Sequence, residues 1–178
     1  MTIQIKRLPH RLEPNPERVI TRFFSPGDVG RIKKVIQRAL ELPEDDLLQL
    51  TEWIAQRFIS RHKDLRSILK KHYDNVKHHV NNESKLNELQ RLAIGACFTM
   101  EFSIESTALF NPSMVPANTQ DGVPPGSMRF LISLRATGEG HLSSIVFRNG
   151  IVDPDGNIVM EPQSPYSWPL EATEAQNY

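Results

Sequence analysis

The spacing of hydrophobic residues divides the chain into a helical part followed by a β-rich part. Five prolines lie in residues 9–43 and eight in residues 112–169, with none between Pro43 and Pro112. Proline breaks helix interiors, so this gap marks the main helical region. From residue 25 to residue 104, apolar residues recur at three- and four-residue spacings, which predicts about four amphipathic helices in an antiparallel bundle.

Start signals place the boundaries of these four helices. The signals, in chain order, are Ser25 with Pro26, Pro43 ahead of three acidic residues, Asp64, and Ser84. The apolar stripe of the fourth helix is expected to run from Leu86 to Ile104. This places Cys97 among buried residues, and it puts Glu101 and Glu105 on one side of the helix end.

After Phe110 the pattern becomes typical of strands. Residues 127–136 and 141–150 are strand-like runs joined by a Thr-Gly-Glu-Gly turn, and a strong Asp155-Gly156 turn signal lies between two further short strands. These features predict a small antiparallel β-meander, and therefore an α+β chain. The predicted parts are an extended segment at 1–24, a helical bundle at 25–107, the meander at 108–162 and an irregular tail at 163–178. One such meander cannot bury both its faces alone.

Composition and charge exclude several classes of function. The 178 residues have a formal net charge of zero, with 18 Lys and Arg against 14 Asp and Glu in residues 1–105, and 3 against 7 in residues 106–178. That imbalance is too mild for a nucleic-acid partner. No apolar run approaches the ~18 residues of a membrane helix, and the N-terminus has no apolar signal region. With one cysteine and no internal disulfide possible, a cytoplasmic location is expected.

The helical part offers few groups with the spacing of a catalytic or metal site. His72 and His79 are seven residues apart, wider than metal-ligand spacing, so a solvated basic helix face and no metal are expected. Glu101 and Glu105 could act as a general acid and a general base. Neighbours this close on one helix are more often a surface pair or caps for a loop.

The β-rich part carries the better binding candidates. Arg135 ends an almost wholly apolar strand, a position that is costly unless the guanidinium is paired or lies at a cleft. Asn111 precedes a proline at a strand entrance, where an amide can turn the chain or contact a ligand. The further candidates in this part are Glu139, His141 and Arg148.

Two stretches resemble a known family. "ALFNPSMV" and "RFLISLRATGEGHLSSIVFRNGIVDPDGNI" are similar to the opening blade of the glycoside hydrolase family 130 propellers. The upstream pieces "RVITRFFSPG", "RFISRHKDLRSILKKHY" and "RLAIGACFTMEFSIESTALFNPS" resemble a long subgroup with a helical N-terminal region. The resemblance runs from about Arg18 to about Pro162.

The resemblance implies a fold, an activity and a site. Members of the family are five-bladed β-propellers that act as inverting phosphorylases or hydrolases on β-mannosides and related oligosaccharides. Inorganic phosphate is the co-substrate of the phosphorylases, and no other cofactor is implied. By match to the family motif, Asn111 and Arg135 would line the sugar pocket. The catalytic aspartate belongs to later blades, and neither Asp153 nor Asp155 matches it, so the catalytic residue is unknown.

Three hypotheses follow. The first is the N-terminal part of a glycosidase or phosphorylase, inactive alone, with an oligosaccharide as ligand once further blades are present. The second is a non-enzymatic helical interaction module whose β-meander docks on a partner chain or a second copy. The third, a small enzyme using Glu101, Glu105 and His141, has the least support.

Overall fold

The computed structural model describes residues 10–167, which form four helices and two antiparallel sheets. The predicted α+β class is therefore confirmed. The described residues form two compact units: 10–18 with 103–164, called the β-unit, and 19–102 with 165–167, called the helical unit. Residues 1–9 of the predicted extended segment and residues 168–178 of the predicted tail lie outside the described residues. Within residues 10–167, no helix is long and apolar enough to cross a membrane.

The helical unit contains all four helices and a two-stranded sheet. Its elements are β1 (Val19–Phe23), α1 (Val29–Leu40), α2 (Glu44–Phe58), α3 (Leu65–Asp74), α4 (Glu88–Cys97) and β2 (Thr99–Ser103), whose last residue belongs to the β-unit. Short 3-10 turns lie at Lys77–His79 and Glu83–Lys85. Helix α4 contacts each of the other three helices. The core that they enclose consists of Ile32, Ile36, Ala39, Tyr73, Val76, Ile94 and Phe98.

Two predicted helix starts are confirmed and two are displaced. Helix α2 begins directly after Pro43, and Asp64 caps α3 by accepting a hydrogen bond from the Ser67 N–H at 3.0 Å. Helix α1 is capped by Asp28, not by Ser25. Helix α4 is capped by Asn87, whose side chain forms a capping box with Gln90, whereas the predicted cap Ser84 lies in a 3-10 turn.

The prediction that the fourth helix continues to Ile104 is wrong. Helix α4 ends at Cys97, and the following residues form β2 beside β1. Apolar residues four apart, such as Met100 and Ile104, fit both a helix of period 3.6 and a strand of period 2. The pattern therefore could not distinguish a helix from a strand here. Consequently Glu101 lies on a strand and Glu105 beyond it, and Cys97 is exposed, not buried as predicted.

The predicted solvated basic face is wrong at His72. This side chain is buried, and its Nδ1 lies 2.7 Å from the Thr99 hydroxyl. Helix α3 ends at Asp74, so His78 and His79 lie in the 3-10 turn that follows, with ring centres 3.9 Å apart. The histidines therefore do not share one helix face.

The β-unit is built on one antiparallel meander. Its strands are β3 (Ala108–Pro116), β4 (Met128–Thr137), β5 (Ser143–Val152) and β6 (Ile158–Met160), in the spatial order β3-β4-β5-β6. The predicted Asp155-Gly156 turn is confirmed, since Gly156 has φ 77° and its N–H donates to the Asp153 carbonyl at 3.0 Å. The first of the two short strands predicted around this turn is the end of β5.

The two faces of this sheet have different environments. One face is covered, with Phe130, Leu134, Ala136 and Val146 buried and Leu12 packed against the last three. Because side chains alternate along a strand, the other positions form the opposite face. We call this the open face. Its exposed members are the apolar Phe110, Val115, Ile145, Phe147 and Val159 and the polar Ser113, Arg135, Ser143 and Asn149. The open face is therefore uncovered, with five apolar side chains among its nine exposed ones.

Candidate functional site

Asn111 and Arg135 lie next to each other at one end of the meander. Phe110 pairs with Arg135 across β3 and β4, and the register shifts between Phe110 and Ser113, so Asn111 and Pro112 form a bulge. Asn111 has φ 49°, a left-handed conformation that asparagine adopts more readily than most residues. Both side chains are exposed. The bulge thus begins directly after the cross-strand partner of Arg135.

Arg135 has its own support on the neighbouring strand. Its Nη2 donates to the Ser143 hydroxyl at 3.2 Å, at the start of β5. From the sequence, an arginine here was expected to be paired or to lie at a cleft. The bond to Ser143 gives it one partner, and its exposure on the open face lets water reach it as well. Strand β4 continues two residues further, to Thr137, so Arg135 is close to its end without terminating it.

Glu139 and His141 lie in the loop that joins β4 to β5. The loop is closed by a 2.8 Å hydrogen bond from the Gly138 N–H to the Leu142 carbonyl, and His141 has φ 59°. Glu139 Oε2 accepts a hydrogen bond from the Ser103 N–H at 3.0 Å. The structure therefore places both residues at the same end of the sheet as Arg135. The Glu139 carboxylate already accepts a hydrogen bond from a backbone N–H.

Arg148 is separated from the other candidates. It pairs across the sheet with Ile132 on the covered face, and its side chain is 5 % exposed. Its Nη2 is hydrogen-bonded to Glu105 Oε2, while Arg18 Nη1 lies 2.5 Å from Glu105 Oε1. Burial lowers the pKa of Arg148, and the Glu105 charge opposes this. These contacts make Arg148 part of a buried ion-pair cluster.

Glu101 belongs to a second cluster, in the helical unit. Its Oε1 lies 2.5 Å from His62 Nε2, and its Oε2 lies 3.0 Å from Arg61 Nη2. The Arg61 guanidinium also lies over the Phe58 ring at 4.9 Å. Glu101 and Glu105 thus use both oxygens in separate ion-pair clusters, one in each unit. Sequence spacing contained no signal for the His62 contact, which joins residues 39 positions apart.

The chemistry at the Asn111 end of the sheet is directed hydrogen bonding. An amide donates and accepts, and a guanidinium donates in a fixed planar geometry, which suits ligands with several hydroxyls. Among residues 10–167, no three His, Cys, Asp or Glu side chains are grouped to hold a metal ion. Compared with protein-family models, curated proteins and solved structures, the chain shows no match.

Proposed function

We propose that this chain is the N-terminal part of a glycosidase or glycoside phosphorylase of the family 130 type, acting on β-mannosides or related oligosaccharides. The observation that carries the proposal is the position of Asn111, which is held at φ 49° in the β3 bulge directly after Phe110, the cross-strand partner of the exposed Arg135. Asn111 and Arg135 are the two residues that the resemblance assigns to the sugar pocket. Their exposure and adjacency are what a sugar-binding wall requires.

The shape of the β-unit supports its role as one propeller blade. A blade is a four-stranded sheet, and blades are arranged around a central channel. The meander has four antiparallel strands in chain order. Its open face presents apolar side chains that a neighbouring sheet could cover, at the usual sheet spacing of about 10 Å. In this proposal β3, which carries Asn111, is the strand that lines the channel.

Catalysis in this proposal depends on blades outside the described residues. Asp153 is committed to its hairpin turn, where Oδ1 accepts from the Asn157 N–H at 2.7 Å and Oδ2 from the Asn157 amide at 2.8 Å. Residues 1–178 are therefore expected to be inactive alone. Phosphate-dependent cleavage of β-mannosides by the purified chain is the assay, and clear turnover would contradict the assignment.

Replacing Arg135 with alanine is expected to weaken sugar binding by about 1.5–3 kcal/mol, or roughly 10- to 150-fold, because a charged hydrogen bond to the ligand is lost. The measurement is an NMR shift titration of the full chain with β-1,4-mannobiose, following the amides of residues 109–113 and 133–137. Asn149→Ala is the matched control, since this exposed side chain shares the open face but pairs with Leu131, further along β4. Equal losses in both variants, or no loss, would remove Arg135 from the site.

A second function, a non-enzymatic module that docks through its β-unit, is favoured by the same open face. Large exposed apolar patches mark interaction surfaces. If the partner is a second copy, Phe147→Ser should weaken self-association, because Phe147 is 46 % exposed at the centre of that face. Sedimentation velocity over a concentration series measures this. Ile59→Ser, which removes an apolar side chain exposed in the helical unit, should leave the association unchanged.

A further inference from the structure

We propose that the helical unit binds an elongated apolar molecule that carries a cationic amine, of the alkylamine class. The site is a groove of about 520 Å³ between α2 on one side and α3 and α4 on the other. We call it the apolar groove, and its apolar lining residues are Leu48, Ile54, Ala55, Ile59, Leu65, Leu69, Leu89 and Leu92. The volume lies within the usual range for small-molecule sites, about 300–1,000 Å³. This site is separate from the proposed sugar site, whose residues belong to the β-unit.

The groove exists because little of the apolar surface of α2 is covered. Leu47 is the one buried residue of α2, and α4 is the helix against which α2 packs. Leu48, Ala55 and Ile59 are seven and four residues apart, so they lie on one side of the helix, about 100° away from Leu47. Leu48 is 45 % exposed and Ile59 is 61 % exposed. A ligand in the groove would cover this side, as the apolar side of a helix is normally covered.

The opposite wall of the groove is held in place by contacts between α3 and α4. The two helices approach so closely that a Cβ added at Gly95 would lie 2.0 Å from the Leu69 carbonyl oxygen. At the rim, Arg66 Nε donates to Glu88 Oε1 at 3.0 Å, which joins α3 to α4. This wall is therefore formed before a ligand binds, and such preorganisation lowers the cost of binding.

The shape of the groove favours an elongated ligand without hydrogen-bonding groups along its length. The α2 wall runs from Leu48 to Ile59, which spans about 16 Å at 1.5 Å per residue. Thr51 lies on this wall, and its hydroxyl donates to the Leu47 and Leu48 carbonyls at 2.9 Å, so its proton is already used. An alkyl chain needs no hydrogen-bond partner when it leaves water, and it therefore suits this wall.

The charges around the groove favour a cation at its rim. Three carboxylates and two basic side chains are among its described lining residues, a balance of −1, and they are Glu52, Asp64, Glu88, Lys63 and Arg66. Glu88 pairs with Arg66, and Asp64 caps α3. Glu52 is exposed and takes part in no ion pair within residues 10–167. An ammonium group beside Glu52 would balance the charge of the lining.

The test is an NMR shift titration of the full chain with octylamine, octanol and octanoate, following the amides of α2, α3 and α4. Octylamine is a cation at pH 7, as the lysine side chain is. We expect octylamine to bind most tightly, octanol to bind about threefold more weakly because an exposed ion pair is missing, and octanoate to bind more weakly still. Hexylamine should bind about tenfold more weakly than octylamine, because two fewer methylene groups are buried.

Two variants with matched controls locate the ligand. Glu52→Gln should remove the preference for octylamine over octanol, whereas Glu44→Gln, on α2 but outside the groove lining, should keep it. Ala55→Phe should weaken the binding of octylamine about tenfold, because the added ring fills part of the groove. Gln56→Phe adds the same ring at the next position, outside the groove, and should leave binding nearly unchanged. All four positions are exposed, so the variants should fold, which circular dichroism checks.

Each other result would overturn part or all of the proposal. Octanoate binding as tightly as octylamine would exclude a rim that selects cations, and equal binding of hexylamine and octylamine would exclude burial of the chain. Equal losses in Ala55→Phe and Gln56→Phe, or no loss in either, would show that the amine binds elsewhere. No shifts with any of the four molecules would remove the site.

Discussion

Replacing Glu105 with glutamine is expected to lower the free energy of unfolding of the β-unit by about 3–5 kcal/mol. Glu105 is 0 % exposed, and its two oxygens pair with Arg18 and Arg148. Glutamine keeps the shape but removes the charge, which leaves the buried Arg148 guanidinium without a counter-charge. An unpaired buried charge is far more costly than a missing pair.

Hydrogen exchange of the β4 and β5 amides is the measurement for Glu105→Gln. Tryptophan fluorescence is unsuitable, because neither Trp53 nor Trp168 lies within residues 103–164. Glu88→Gln is the matched control, since Glu88 pairs with Arg66 on the surface, and no measurable change is expected there.

A double variant separates the cost of the unpaired charge from a loss of packing. Glu105→Met combined with Arg148→Met should be more stable than Glu105→Gln, because no uncompensated charge remains on the covered face except the less buried Arg18. A double variant as unstable as the single one would show that the cluster acts through shape and not through charge.

Local signals in the sequence predicted the features that depend on local physics. The acidic run after Pro43 and the Asp64 cap define where helices begin, and Asp155-Gly156 defines a hairpin, because each acts through backbone groups within a few residues. The end of α4 was missed because a four-residue apolar spacing suits a strand as well as a helix.

The ion-pair clusters could not be predicted because they join distant parts of the chain. Glu105 meets Arg18 across 87 residues and Arg148 across 43. One signal was present: along β5, Arg148 occupies an inward position between Val146 and Gly150, which implies a buried arginine and hence a buried acidic partner. Which acid it is depends on the tertiary fold.

The adjacency of Asn111 and Arg135 depends on strand register, which the intervening loop helps to set. The Gln120 side chain accepts the Arg129 N–H at 2.8 Å and donates to the Arg129 carbonyl at 3.0 Å, which fixes the loop to the start of β4. A shift of one residue would turn Arg135 to the covered face. Residue spacing alone therefore indicated candidates, and the pairing of β3 with β4 brings two of them together.

Replacing Gly95 with alanine is expected to destabilise the helical unit by about 3 kcal/mol, at the upper end of overpacking costs. Gly95 lies inside α4 and is buried against α3. An added Cβ would overlap the Leu69 carbonyl oxygen and come within 2.8 Å of its carbon and 3.3 Å of its Cα. These are backbone atoms, so the clash cannot be relieved by a rotamer change.

The sign of this effect distinguishes close helix packing from helix propensity. In an open helix, glycine to alanine stabilises by roughly 0.5–1 kcal/mol, so the clash must exceed that gain. Gly30→Ala in α1 is the control, because its added Cβ would meet only the Asp28 carboxylate, at 3.0 Å, and the position is exposed. Urea denaturation followed by tryptophan fluorescence and far-UV circular dichroism should show Gly95→Ala less stable than wild type and Gly30→Ala equal or more stable. If Gly95→Ala were as stable as wild type, α3 and α4 could move apart at little cost. The close approach of the two helices at Leu69 would then not explain why residue 95 is a glycine.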